Sequence, residues 1–186
     1  MSDEKKSGGV DHLVPPAALP VLRDAFSTIL ETVTGGITNA AKTTGAAGAA
    51  LFDAVSEVVK SAVRGAVEMG SDLVPGTKAI IMGVVRGTGE KGEAALKTLS
   101  HAAKSIIRHT ADRGGDLAAA TKGLVLGAIA SAKQMGVETA KAASMAAQGA
   151  LEGAEEAGSV TVERVRAALK EPIGGSKVAL PDSVVR

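Results

Sequence analysis

Glycine recurs at a fixed interval of 22 residues, at Gly48, Gly70, Gly92, Gly114, Gly136 and Gly158. A chain punctuated this evenly is built from repeated units, and a fixed period of a few tens of residues constrains the fold more than composition does. Other columns keep the same interval. Val59, Ile81, Ala103, Val125 and Ala147 follow each glycine by half a period, and Val63, Val85, Ile107, Ile129 and Leu151 come four residues later. A doubled period of 44 residues is carried by Ser56, Ser100 and Ser144, by Lys60 and Lys104, and by the matching breaks Gly70-Ser71-Asp72-Leu73 and Gly114-Gly115-Asp116-Leu117.

Half of 22 is eleven, and eleven residues over three turns give about 3.67 per turn, close to the natural pitch of an α-helix. An apolar stripe at this spacing hardly drifts around the helix, and its columns gather into one face about 130° wide. The period of 2 that a strand requires has no support. The expected fold is therefore all-α, made of long amphipathic helices with 22- and 44-residue repeats. The helices either fold into antiparallel hairpins of a bundle or run on as an extended, assembly-forming rod. The face expected to pack against other helices, copies of the chain or lipid is Leu51, Val55, Val59, Val63, Ile81, Val85, Ile107, Val125, Ile129 and Leu151.

The polar side is ordered too. Arg64, Arg86, Arg108, Lys60 and Lys104 border the stripe, Lys91 and Arg113 edge its other flank, and Glu68, Glu90, Asp112 and Glu156 lie opposite. Long basic stems beside apolar material suit a helix lying flat on lipid. The same columns also place Arg four residues before an acid, a pairing that stabilises any exposed helix by about 0.2–0.5 kcal/mol.

The apolar content is 45% of 186 residues, enough for one core, yet aromatics are only Phe26 and Phe52 and most of the rest is small. Small side chains bury little area each at about 25 cal/mol per Å². With 23 glycines opposing a freestanding helix, the chain is expected to complete its structure against a partner.

A net charge of +1 and the scarcity of stacking aromatics argue against nucleic acid as that partner. The absence of cysteine removes disulfides and thiolate metal sites. No signal-type apolar run and no spanning segment is seen, the best candidate, Leu124–Ala132, being short and flanked by Lys122 and Lys133. A cytoplasmic location is expected, free or peripheral on a membrane or lipid body.

Three regions follow along the chain: a polar N-terminal tail at 1–17, ending in Val14-Pro15-Pro16; a helical repeat region at 18–171; and a C-terminal tail at 172–186. Within the middle region the pattern predicts a first helix stopping at Gly35-Gly36, then Ile37–Ala47 as weak helix or loop, then a helix over Leu51–Met69. Thr77–Arg113 reads as one long helix bent at Gly87-Thr88-Gly89, and Leu117–Ala157 as another. A last helix spans Thr161–Lys170, before Pro172.

Chemical motifs are few. Gly87-Thr88-Gly89-Glu90-Lys91-Gly92 has the glycine spacing of a dinucleotide turn but no preceding strand. Gly36-Ile37-Thr38-Asn39-Ala40-Ala41-Lys42-Thr43 approaches a phosphate loop with Ala41 in place of the second glycine. His101 and His109 lie eight apart without a carboxylate or cysteine cluster and read as solvated. The Ser and Thr residues show no base with an orienting acid. No catalytic residue, cofactor or metal is expected.

Over about Ala47–Val160 the chain resembles amphipathic eleven- and twenty-two-residue helical families: exchangeable apolipoproteins, perilipins, synucleins, late-embryogenesis proteins and bacterial phasins. The resemblance is one of periodicity and charge placement. The chain lacks the proline between most units and the interfacial aromatics of apolipoproteins, and it is more apolar than late-embryogenesis proteins. The resemblance implies a coat or scaffold: a non-enzymatic structural homo-oligomer whose Ala/Val/Gly face mediates self-assembly into a filament, tube or coat, binding to a lipid surface, or both. The alternative is a small-ligand or nucleotide-binding helical bundle.

Overall fold

A computed structural model describes residues 19–45, 48–70, 72–175 and 177–180. The expected N-terminal tail, residues 1–17, lies outside the described residues, as do 181–186 of the expected C-terminal tail. Among the described residues the protein is all-helical, with seven helices: α1 (Leu19–Thr44), α2 (Ala49–Glu68), α3 (Leu73–Thr88), α4 (Gly92–Asp112), α5 (Leu117–Met135), α6 (Thr139–Ala157) and α7 (Ser159–Lys170). None of them is long and apolar enough to cross a membrane.

The helices end where glycine lets the backbone turn left-handed. All six glycines of the 22-residue column carry positive φ, from 56° at Gly92 to 114° at Gly158. Gly114 shows the mechanism. Its N–H donates to the Ala111 carbonyl at 3.0 Å and the next N–H, of Gly115, to the Thr110 carbonyl at 2.9 Å, so two carbonyls orphaned at the end of α4 are satisfied. Gly136 and Val137 repeat this on Lys133 and Ala132 at 3.2 and 3.1 Å, closing α5. New helices then start on aspartate caps: Asp72 accepts from Val74 N–H at 2.9 Å and Asp116 from Ala119 N–H at 3.0 Å.

Two of the long helices expected from the pattern are each divided. Thr77–Arg113 is split between α3 and α4 at Gly89 (φ 63°), and Leu117–Ala157 between α5 and α6 at Gly136 (φ 71°). At both places an unbroken apolar pattern outweighs a single glycine on paper, while the left-handed cap decides in the folded chain. Conversely, α1 runs straight through Gly35-Gly36 to Thr44. There Gly36 fits against Val58 of α2, where a Cβ would lie 3.2 Å from its Cγ2. Close packing thus holds the helix through residues whose propensity is poor.

Short turns bring each helix back against the one before it, and each also packs on the helix two places away. The closest associations are α4 with α6, α3 with α5 and α1 with α3. One layer therefore contains α1, α3, α5 and α7, the other α2, α4 and α6, and the core runs between them. Interior glycines set the spacing of neighbouring helices within each layer. A Cβ at Gly83 would lie 2.8 Å from Val33 Cβ, at Gly87 2.6 Å from Ile37 Cβ, and at Gly127 2.8 Å from Ile81 Cβ. Gly149 and Gly153 of α6 press on the carbonyls of Ser100 and Lys104 of α4. Such contacts need backbone against side chain with no Cβ between, and in return α3, α5 and α6 pack on their neighbours at full density.

Past α7 the chain continues over the core. Ile173 is only 3% exposed, Val178 and Leu180 are half-buried against the core, and Ser144 of α6 donates to the Ala179 carbonyl at 3.0 Å.

Candidate functional site

Of the ten residues expected to form a packing or lipid face, Leu51, Val55, Val59, Val63, Ile81, Val85, Ile107, Val125 and Leu151 are buried within the chain. Ile129 is half-buried against the core, beside Gly174. The apolar ribbon is thus covered by neighbouring helices of the same molecule. Among the described residues the large hydrophobics left exposed are Met69 and Val160, at 65% and 62%.

The most concentrated polar chemistry lies between α2 and α4. His101 Nε2 is 2.8 Å from Ser56 Oγ and 3.1 Å from the Phe52 carbonyl oxygen, and Ser56 Oγ is 3.2 Å from Ser105 Oγ. The imidazole is half-buried and stacks on the Phe52 ring at a centroid distance of 4.8 Å. The sequence reading of His101 as solvated fails here, because α2 brings an aromatic face and a carbonyl against it. Burial pulls its pKa below the ordinary 6.5, aided by Lys104 and Arg108 and opposed by the Phe52 carbonyl and Asp53.

A serine hydroxyl 2.8 Å from an imidazole nitrogen has the distance of a nucleophile and its base. The same nitrogen also lies against the Phe52 carbonyl, which can only accept, and in the tautomer that donates to that carbonyl Nε2 cannot take the serine proton. In either tautomer the imidazole ties α4 to α2.

The contacts across this layer keep one register. Phe52 meets His101 and Ser56 meets Ser105, each pair 49 residues apart. Ser100 meets Gly149 and Lys104 meets Gly153 with the same separation between α4 and α6. Charges also cross the layer. Glu156 of α6 takes Lys104 at 2.7 Å and Arg108 at 3.5 Å, which holds its carboxyl below the usual range, chiefly through the hydrogen bond from Lys104. Glu68 takes Arg64 of its own helix at 3.0 Å and Arg113, at the C-terminal end of α4, at 3.3 Å. The sequence pattern pairs charges four apart along one helix, and Arg64–Glu68 follows it; the bridges to Lys104, Arg108 and Arg113 come from folding helix on helix. His109 of α4 lies 3.7 Å from Asp112 and is also held below 6.5, by burial first and then by Arg108.

The nucleotide-like motifs fall on unsuitable backbone. Gly87–Gly92 follows a helix and forms the turn from α3 to α4, and 36–43 lies inside α1. Among the described residues no group of three or more His, Cys, Asp or Glu is placed to hold a metal ion.

Open cavities lie at the edges of the helix pairs. One of about 510 Å³ beside the α4–α5 turn is lined by Asp116, Lys122, Arg164 and Glu171, in which Lys122 and Glu171 are joined at 2.6 Å. Another, of about 380 Å³, is a groove between α1 and α2 lined by Thr32, Val33, Gly36, Glu57, Val58, Ser61 and Ala62. No family model, curated protein or solved structure matches this chain.

Proposed function

We propose that this chain is a non-enzymatic structural protein: a short stack of two-helix units, each 44 residues long, that associates with copies of itself. The observation that carries the reading is the register of the α2–α4–α6 layer, in which contacts 49 residues apart recur across two successive interfaces. In a stack of this kind each unit buries one face on the unit before and one on the unit after, so an end of the stack that nothing caps presents a face suited to a neighbour. Antiparallel hairpins, rather than an extended rod, fit the short glycine turns between helices that pack on one another.

A protein partner is favoured over lipid by where the apolar residues lie. A lipid coat needs the ribbon from Leu51 to Leu151 on the surface, and burial within the chain leaves it available only if the helix pairs part. The His101–Ser56 clasp, with its nitrogen engaged by a carbonyl, supports the non-enzymatic reading over a nucleophilic one.

Sedimentation velocity over a hundredfold range of concentration, with negative-stain imaging of the same samples, tests the proposal. Regular species larger than the 18.4 kDa chain are expected without lipid. A monomer at every concentration whose helicity rises sharply on anionic vesicles would put the lipid surface in place of the protein partner.

A further inference from the structure

We propose that the outward face of the first helix pair, α1 with α2, docks a second copy of this chain through the same face, about a two-fold axis passing close to Ser61. The inference rests on the self-assembly reading above and names its surface.

Two glycines carry it. Gly35 and Gly65 lie inside helices, where glycine is unfavourable, and a Cβ on either would meet nothing within 4 Å. Their counterparts two units further along the chain have a reason to be glycine. Gly123, matching Gly35, is pressed against Thr77 and the backbone of α3, and Gly153, matching Gly65, against the Lys104 carbonyl. The first pair thus repeats, on a side where the described residues supply nothing, the bare backbone by which the third pair seats on the second. Between the same two helices lies the groove of about 380 Å³, lined by Gly36, next to Gly35, and by Val33, Val58, Ala62, Glu57 and Ser61.

The opposite end of the stack is covered by the chain itself. Ser144 stands one unit after Ser100 and two after Ser56, and its hydroxyl donates to Ala179 of the terminal segment, which takes the place of a further helix. With that end covered, the face left to meet a second copy is the first pair's own, and a surface that meets itself closes into a symmetric dimer. Charge agrees with the pairing. Two antiparallel α2 helices crossing at Ser61 set Glu57 of one copy opposite Gly65 and next to Arg64 of the other, so acid meets base at both ends of the contact.

The full-length chain has no cysteine, so one introduced thiol reports one surface. Ser61→Cys is expected to give a covalent dimer under mild oxidation, while Glu163→Cys, exposed on α7 at the far end, gives none. In sedimentation the Gly35→Gln/Gly65→Gln variant is expected to associate about tenfold more weakly or worse, with its helical circular dichroism spectrum kept. Cross-linking of Ser61→Cys no better than of Glu163→Cys, or association of the glutamine variant equal to the unsubstituted chain, overturns the proposal. Polymers that persist in the glutamine variant overturn this face while leaving self-assembly standing. An unsubstituted chain that stays monomeric at every concentration overturns both.

Discussion

At the scale of single residues, glycine does two different jobs in this chain, and the same substitution separates them. Gly149→Ala places a methyl group against the Ser100 carbonyl, which belongs to backbone and cannot swing away. The expected cost is about 1–3 kcal/mol, as for other overpacked sites, and denaturant unfolding measures it. Gly65→Ala has open space around the new carbon, so in the monomer it is expected to stabilise by up to about 1 kcal/mol through helix propensity. The sequence distinguishes the turn glycines by their interval, but not the docking ones, because whether an interior glycine faces a carbonyl or empty space depends on the neighbouring helix.

Histidine gives the second residue-scale expectation. The folded pKa values of His101 and His109 are lowered below 6.5, so the unfolded chain takes up protons first as pH falls. The stability both residues contribute is therefore complete above pH 6.5 and lost as pH drops from there toward the lowered folded values. Thermal midpoints measured between pH 7.5 and 5 are expected to fall, and His101→Gln, whose amide can still donate to Phe52, is expected to flatten that slope. This behaviour was hidden in the sequence, because the groups that bury and bond His101 are not its neighbours along α4; Phe52 and Ser56 reach it from 49 and 45 residues away.

At the scale of elements, helix type and the apolar face were readable because an eleven-residue rhythm needs no knowledge of the partner. Helix ends were less so. The pattern alone joins α3 to α4 and α5 to α6, since apolar columns continue across Gly92 and Gly136, and only the left-handed backbone breaks them. Gly136→Ala, forcing a Cβ into φ 71°, is expected to cost about 1–2 kcal/mol, read by denaturation. The segment after α7 shows the opposite error. Pro172, Gly174 and Gly175 read as a loose tail, yet Ile173 is buried beneath it. Ile173→Ala is expected to lower stability by about 2–5 kcal/mol, the range for truncating a buried isoleucine, with a matching fall in thermal midpoint.

At the scale of the whole molecule, the main contacts of every helix are with helices one or two places along the chain. The far third of the protein makes none of its main contacts with the first, so structure is expected to begin in any pair of helices and spread to its neighbours. A molecule assembled in this way has no fixed length. Excision of residues 73–116, from Leu73 at one aspartate-capped start to just before Leu117 at the next, is expected to leave a shorter folded protein of unchanged helical fraction, whereas removal of a comparable stretch out of phase with the turns abolishes cooperative melting. Loss or gain of whole hairpins thereby becomes a route by which such a gene could vary its product in evolution without inventing a new core.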